Sequence, residues 1–216
     1  MSQNKTLQTQ KIIEYIKEIY NPEAILLAGS RAKNTHREDS DWDIFVYGKQ
    51  GGESQMVTHD GHVLEITCKE FPQADEFLMV PHGLLWPARI LYDDSEGTLA
   101  RLLENTKKAL AEGPLSLYKA SIIRRIKKCE EVLHKIDMHS GDTMIAFAYV
   151  GNFYELAVRL WFEVHNKWPL SPKEAIPYIR EHDQVFIKEL TSFIGASNSE
   201  YKAIGENIID MLKSQV

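Results

Sequence analysis

The sequence predicts an α+β protein, with a mixed-sheet domain over residues 1–112 followed by an all-α helical bundle over residues 113–216. Three observations lead there. Short apolar runs bounded by Gly, Pro and Asp-Gly, the punctuation of strands and tight turns, are confined to the first half. Beyond Gly113-Pro114 the apolar residues recur every three or four positions, which is the helical period. Charge also separates the halves: residues 1–112 carry 12 Lys+Arg against 18 Asp+Glu, whereas residues 113–216 carry 13 of each.

Taken in order, Leu7, Ile12, Ile16 and Ile19 mark a first helix that Asn21-Pro22 ends. The run Glu23-Ala24-Ile25-Leu26-Leu27-Ala28, held between Pro22 and Gly29, reads as a buried strand. A short helix follows Gly29-Ser30, then a strand over residues 41–47. Residues 56–59 and 62–68 flank Asp60-Gly61, a two-residue hairpin turn. A last strand over residues 89–92 and a helix over 97–110 close this half. In the second half Ile122, Ile126, Cys129, Leu133 and Ile136 form one apolar stripe, opposite a basic face of Arg124-Arg125 and Lys127-Lys128 that is expected to be solvated. Residues 143–166 form the expected central helix, with Phe147, Val150, Tyr154, Ala157, Trp161 and Val164 on one apolar face and Phe153, Leu156 and Leu160 on a second. Two further helices are expected after the loop at residues 168–172.

Composition narrows the function classes. No run of about 18 apolar residues is present, so no membrane span is expected. The N-terminal stretch lacks the charged-then-apolar pattern of a signal peptide, and Cys68 and Cys129 fit no metal spacing and read as buried thiols. Both point to the cytoplasm. A nucleic-acid binder usually carries a basic surface. Here the first half is acidic, which argues against nucleic acid as a partner and suits a site that holds cations.

The informative stretch is Gly29-Ser30-Arg31-Ala32 followed by Ser40-Asp41-Trp42-Asp43-Ile44. Residues two apart on a strand share a face, so Asp41 and Asp43 present paired carboxylates. Such a pair is costly unless a cation lies between the two, and a divalent ion with hard oxygen ligands does so. Upstream, a Gly-Ser turn between a buried strand and a helix offers backbone N–H groups to phosphate. These are the parts that phosphoryl and nucleotidyl transfer need.

On these residues the chain resembles the nucleotidyltransferase superfamily that includes DNA polymerase β, whose signature is strand, Gly-Ser, helix, Asp-x-Asp. The resemblance covers residues 23–70 well and 89–110 in outline, and it includes the Ser before the first Asp. It implies a nucleoside triphosphate co-substrate, ATP or another, with two Mg²⁺ ions. Gly29, Ser30 and Arg31 are expected on the nucleotide, and Asp41 and Asp43 on metal. It also implies a third acid on a neighbouring strand. Glu65, alone among Val63, Leu64, Ile66 and Thr67, is the candidate, as a metal ligand or as acceptor of the attacking hydroxyl's proton. Aspartate is more usual there in the family.

On the central helix Asn152, Glu155, Arg159 and Glu163 form a polar stripe. It reads either as an exposed face with Glu155 and Arg159 paired, or as the wall of a cleft between the two domains. The second reading follows enzymes of similar layout, the aminoglycoside and lincosamide nucleotidyltransferases. Glu155 is then a second candidate base and Arg159 a second contact for the nucleotide. The leading expectation is transfer of AMP to a hydroxyl of a small molecule such as these antibiotics. The alternatives are an AMPylating, antitoxin-type enzyme acting on protein, or a non-catalytic nucleotide-binding member of the fold. A homodimer is compatible with all three.

Overall fold

The structure is a computed structural model that describes residues 2–48, 52, 54–73, 75–80 and 83–216. It resolves into two compact units, residues 1–80 with 84–109 and residues 81–83 with 110–216.

In the first unit α1 (Ser2–Tyr20) buries Ile12 and Ile16, four residues apart, and ends at Asn21, whose φ of +44 makes a left-handed cap before Pro22. A five-stranded mixed sheet follows in the order β3-β4-β2-β1-β7, built from β1 (Ala24–Leu27), β2 (Trp42–Tyr47), β3 (Gln55–His59), β4 (His62–Lys69) and β7 (Arg89–Asp93). A separate ribbon joins β5 (Met79–Val80) to β6 (Gly83–Leu84), two short strands that the apolar pattern does not announce. Between β1 and β2 lies one turn of helix, α2 (Gly29–Ala32), and α3 (Thr98–Glu112) follows the sheet.

All four residues of β1 are buried because both of its faces are covered. Ile25 and Leu27 join Ile12, Ile16, Trp42, Ile44, Leu64 and Ile66 on the α1 side. Ala24 and Leu26 join Tyr47, Leu99 and Leu102 on the α3 side. Asp60 and Gly61 both have positive φ, +47 and +79, as a two-residue hairpin turn of type I′ requires. The chain after β4 is fastened to α3 through the buried Thr106 hydroxyl, which accepts from Leu78 N–H at 2.8 Å and donates to the Leu102 carbonyl at 2.6 Å.

The second unit is a helical bundle of α4 (Leu115–Met138), α5 (Thr143–Val164), α6 (Pro172–His182), α7 (Gln184–Ile194) and α8 (Tyr201–Lys213). The expected stripe from Ile122 to Ile136 is buried, as are Phe153, Ala157 and Leu160. Four expectations need correction. Three helices follow α5 rather than two, because Asp183 alone separates α6 from α7 and no Gly or Pro marks the break. Phe147 is 70% exposed instead of packed inward, on a part of α5 where Met144 is exposed as well. Glu163 belongs to no solvated stripe: it is 2% exposed and lies between Arg159 Nε at 3.1 Å and Arg125 Nη2 at 2.7 Å, which also takes Arg125 out of the solvated basic face. Of the two cysteines, Cys129 is buried but Cys68 only partly so.

Asp183 ties three helices at one point. One carboxylate oxygen accepts from Phe186 N–H at 2.9 Å, capping α7, and the other accepts from the buried Trp161 indole N–H at 2.9 Å. Asp183→Asn keeps one acceptor and turns an NH₂ toward the remaining donor, so unfolding in urea should show a loss of about 1–3 kcal/mol. A loss under about 0.5 kcal/mol, the usual range for a surface position, would remove Asp183 from this role.

Candidate active site

The site is assembled where β1 ends and β2 begins. Ala28 continues the extended backbone of β1, and its N–H donates to the Asp43 carbonyl at 2.8 Å. The chain must then turn. Gly29 turns it at φ +60, and a Cβ built on this residue would lie 1.7 Å from Asp43 Oδ2. Position 29 is therefore glycine for two separate reasons, the left-handed backbone and the carboxylate lying against its Cα. The N–H groups of Gly29, Ser30 and Arg31 open α2 and have no acceptor within the helix.

On β2 and β4 alternate residues face opposite sides of the sheet. Trp42, Ile44, Leu64 and Ile66 go to the α1-side core. Asp43 and Glu65 take the other face, and they are direct Cα partners in the parallel pairing of the two strands. Asp41, one residue before β2, completes the set. Carboxylate oxygens of Asp41, Asp43 and Glu65 all lie within 4.8 Å of one another. Three like charges at that spacing repel, and the donor set is entirely hard oxygen. Small inward movements would bring it to the ligand separations of an octahedral divalent ion, so the residues fit Mg²⁺ or Mn²⁺.

Arg31 is placed differently from expectation. It is only 8% exposed, and its guanidinium is engaged by main-chain carbonyls rather than held out for phosphate. Nε donates to Asp41 O at 2.9 Å and to Ser40 O at 3.2 Å, while Nη2 donates to Ser40 O at 2.6 Å and to Glu38 O at 3.4 Å. The guanidinium carbon stands 4.5 Å above the centre of the Trp42 ring. Burial lowers the pKa of Arg31, an effect opposed by the charges of Asp41 and Asp43.

One family match agrees with this geometry. Residues 10–72 match the family described as polymerase beta, nucleotidyltransferase. This segment belongs to the nucleotidyltransferase superfamily. It holds Gly29, Ser30, Asp41, Asp43 and Glu65 together, and it spans under a third of the chain. Among solved structures, a nucleotidyltransferase-like protein from Exiguobacterium sibiricum 255-15 is similar over 96% of this chain and 74% of its own, with 11% identity and a TM-score of 0.48. No curated protein matches the chain.

Within the nucleotidyltransferase segment, then, six of the expected site residues, Gly29, Ser30, Arg31, Asp41, Asp43 and Glu65, gather around one turn. The other two, Glu155 and Arg159, lie on α5 of the second unit. Glu155 is exposed, and Arg159 is bound to Glu163 instead of Glu155, which corrects the expected i,i+4 pair. Among the described residues no helix is long and apolar enough to cross a membrane. Sequence reasoning missed the part played by Ser40 and Glu38, whose carbonyls hold Arg31. A main-chain acceptor leaves no side-chain signal to find.

Proposed function

We propose that the chain is a metal-dependent nucleotidyltransferase, moving a nucleoside monophosphate, AMP from ATP first, onto a hydroxyl of a small molecule and releasing pyrophosphate. The single observation that carries the reading is the cluster of Asp41, Asp43 and Glu65 set against Gly29. Residues 1–112 are proposed as the catalytic domain and residues 113–216 as the domain that binds the acceptor, with an aminoglycoside- or lincosamide-like antibiotic as the first substrate class to try. The proposed place of action is the cytoplasm.

Asp41, Asp43 and Glu65 would hold two Mg²⁺ ions. When bound, these supply charge neutralisation of the triphosphate and lower the pKa of the acceptor hydroxyl. The N–H groups at Gly29 and Ser30 take phosphate oxygens and orient the chain of phosphates. Glu65, or Glu155, accepts the proton of the attacking hydroxyl. A nucleotide contact from Arg159 requires it to leave one oxygen of Glu163, which Arg125 continues to hold.

The test is incubation of the full chain with labelled ATP, Mg²⁺ and a panel of hydroxylated antibiotics, reading pyrophosphate release and product mass. Mg²⁺-dependent labelling of a small molecule is expected. A label on protein points to the AMPylating alternative. No release with any acceptor, together with equal ATP affinity in Mg²⁺ and in chelator, sinks the enzyme reading. With an active acceptor in hand, Glu155→Gln should lower turnover about a hundredfold if Glu155 is the base. Unchanged turnover assigns that role to Glu65.

A further inference from the structure

The three acids are not held alike. Asp43 and Glu65 are fixed by the sheet, as Cα partners on neighbouring strands, and the Asp43 carbonyl takes the Ala28 N–H. Asp41 precedes β2 and has no ladder partner among the described residues. What holds its main chain is Arg31, a residue inside the Gly-Ser turn. Through one planar fork Arg31 donates to the carbonyls of Asp41, Ser40 and Glu38, and its guanidinium lies over the ring of Trp42, the residue between the two acids.

We infer that Arg31 is a positioning residue: it sets the place of Asp41 for cation binding through the main chain, and it is not a phosphate ligand. The inference rests on the metal-binding reading of Asp41, Asp43 and Glu65. It ties the phosphate turn to the carboxylate pair, so that the two halves of the motif move as one body.

Two effects of Arg31 on a bound cation oppose each other, which makes the role testable. Its positive charge, close to Asp41 and Asp43, disfavours a second cation. If charge were all that mattered, removing it would tighten metal binding. If geometry dominates, removal loosens binding, because a supporting group behind a metal ligand is commonly worth about ten- to a hundredfold in affinity. Lysine keeps the charge but has a compact ammonium that cannot span the same carbonyls and stack on Trp42. Arg31→Lys therefore isolates geometry, and Arg31→Gln removes charge and geometry together.

Mn²⁺ binding to the full chain is read by the paramagnetic resonance signal of free Mn²⁺, with circular dichroism and a thermal scan to establish folding. Arg31→Lys should bind Mn²⁺ about tenfold more weakly or worse, and Arg31→Gln should also be weaker than wild type. Added guanidinium ion should restore part of the affinity of Arg31→Ala, a recovery that general destabilisation does not give. Wild-type Mn²⁺ affinity in folded Arg31→Lys, or tighter binding in Arg31→Gln, overturns the inference. So does loss of tripolyphosphate binding in Arg31→Lys while Mn²⁺ affinity stays unchanged, which marks a phosphate ligand. Absence of Mn²⁺ binding in the wild type is a different failure: it removes the metal reading itself and this inference with it.

Discussion

Asp43→Asn is expected to lose divalent-cation binding by at least about a hundredfold, and any nucleotide transfer with it, at no cost to the fold. The size follows from where Asp43 sits. It is joined to three neighbours at once: Glu65 is its strand partner, its carboxylate lies against Gly29, and its carbonyl receives Ala28 N–H. Removing a proposed direct ligand should exceed the ten- to hundredfold typical of a supporting group. Stability should move the other way. Oxygens of three carboxylates within 4.8 Å repel in the metal-free state, on the order of 1 kcal/mol per pair once solvent screening is allowed for. Neutralising one relieves part of that, so the thermal midpoint should hold or rise. Calorimetry with Mn²⁺ and a thermal scan read both quantities. Near wild-type Mn²⁺ affinity in the folded variant would falsify the proposed centre.

Gly29→Ala should be the most damaging single-methyl change in the first unit. Two penalties add at this position. The left-handed φ of +60 costs an L-residue about 1–2 kcal/mol. The new methyl also collides with Asp43 Oδ2, and overpacking costs about 1–3 kcal/mol more. Gly61 separates the two, since it has φ +79 with nothing within 4 Å of its would-be Cβ. Gly61→Ala should show the backbone penalty alone and leave cation binding untouched, whereas Gly29→Ala should show both penalties and displace Asp43, a proposed metal ligand. Urea denaturation of the pair, with Mn²⁺ titration, decides the matter. Equal losses of stability, or unaltered Mn²⁺ affinity in Gly29→Ala, would mean that the turn and the carboxylate are not packed as described.

How much of this is legible in a bare sequence depends on how local the cause is. The strand before Gly29, the pairing of Asp41 with Asp43 and the Asp60-Gly61 hairpin all follow from neighbours a few residues apart, where period and turn chemistry act directly. Glu65 stands out as a lone acid between buried Leu64 and Ile66, and its side of the sheet follows from alternation. Arg31 is harder. Its partners are carbonyls seven to ten residues away, and a carbonyl looks the same in every residue. Glu163 was hidden for a related reason. On the helix it continues a polar stripe with Glu155 and Arg159, and only the approach of Arg125 from α4 makes it the buried member of a three-charge group. The break between α6 and α7 rests on the capping geometry of Asp183, with neither Gly nor Pro to announce it.

The sheet order carries a last consequence, for motion. β2 and β4, which bear Asp43 and Glu65, are interior strands, with β1 beyond β2 and β3 beyond β4, so the two outermost ladders belong to β3 and β7. Local opening of a sheet begins at its margins, where amides have one hydrogen-bonded neighbour and side chains are wetter, as Met56 and Ile90 are here at 69% and 43% exposed. Either margin can fray without disturbing the register of Asp43 against Glu65. In deuterated water the amides of β3 and β7 should therefore exchange well before those of β2 and β4. The acid pair is thus a property that lasts as long as the first unit stays folded, insulated from the fluctuations of its own edges.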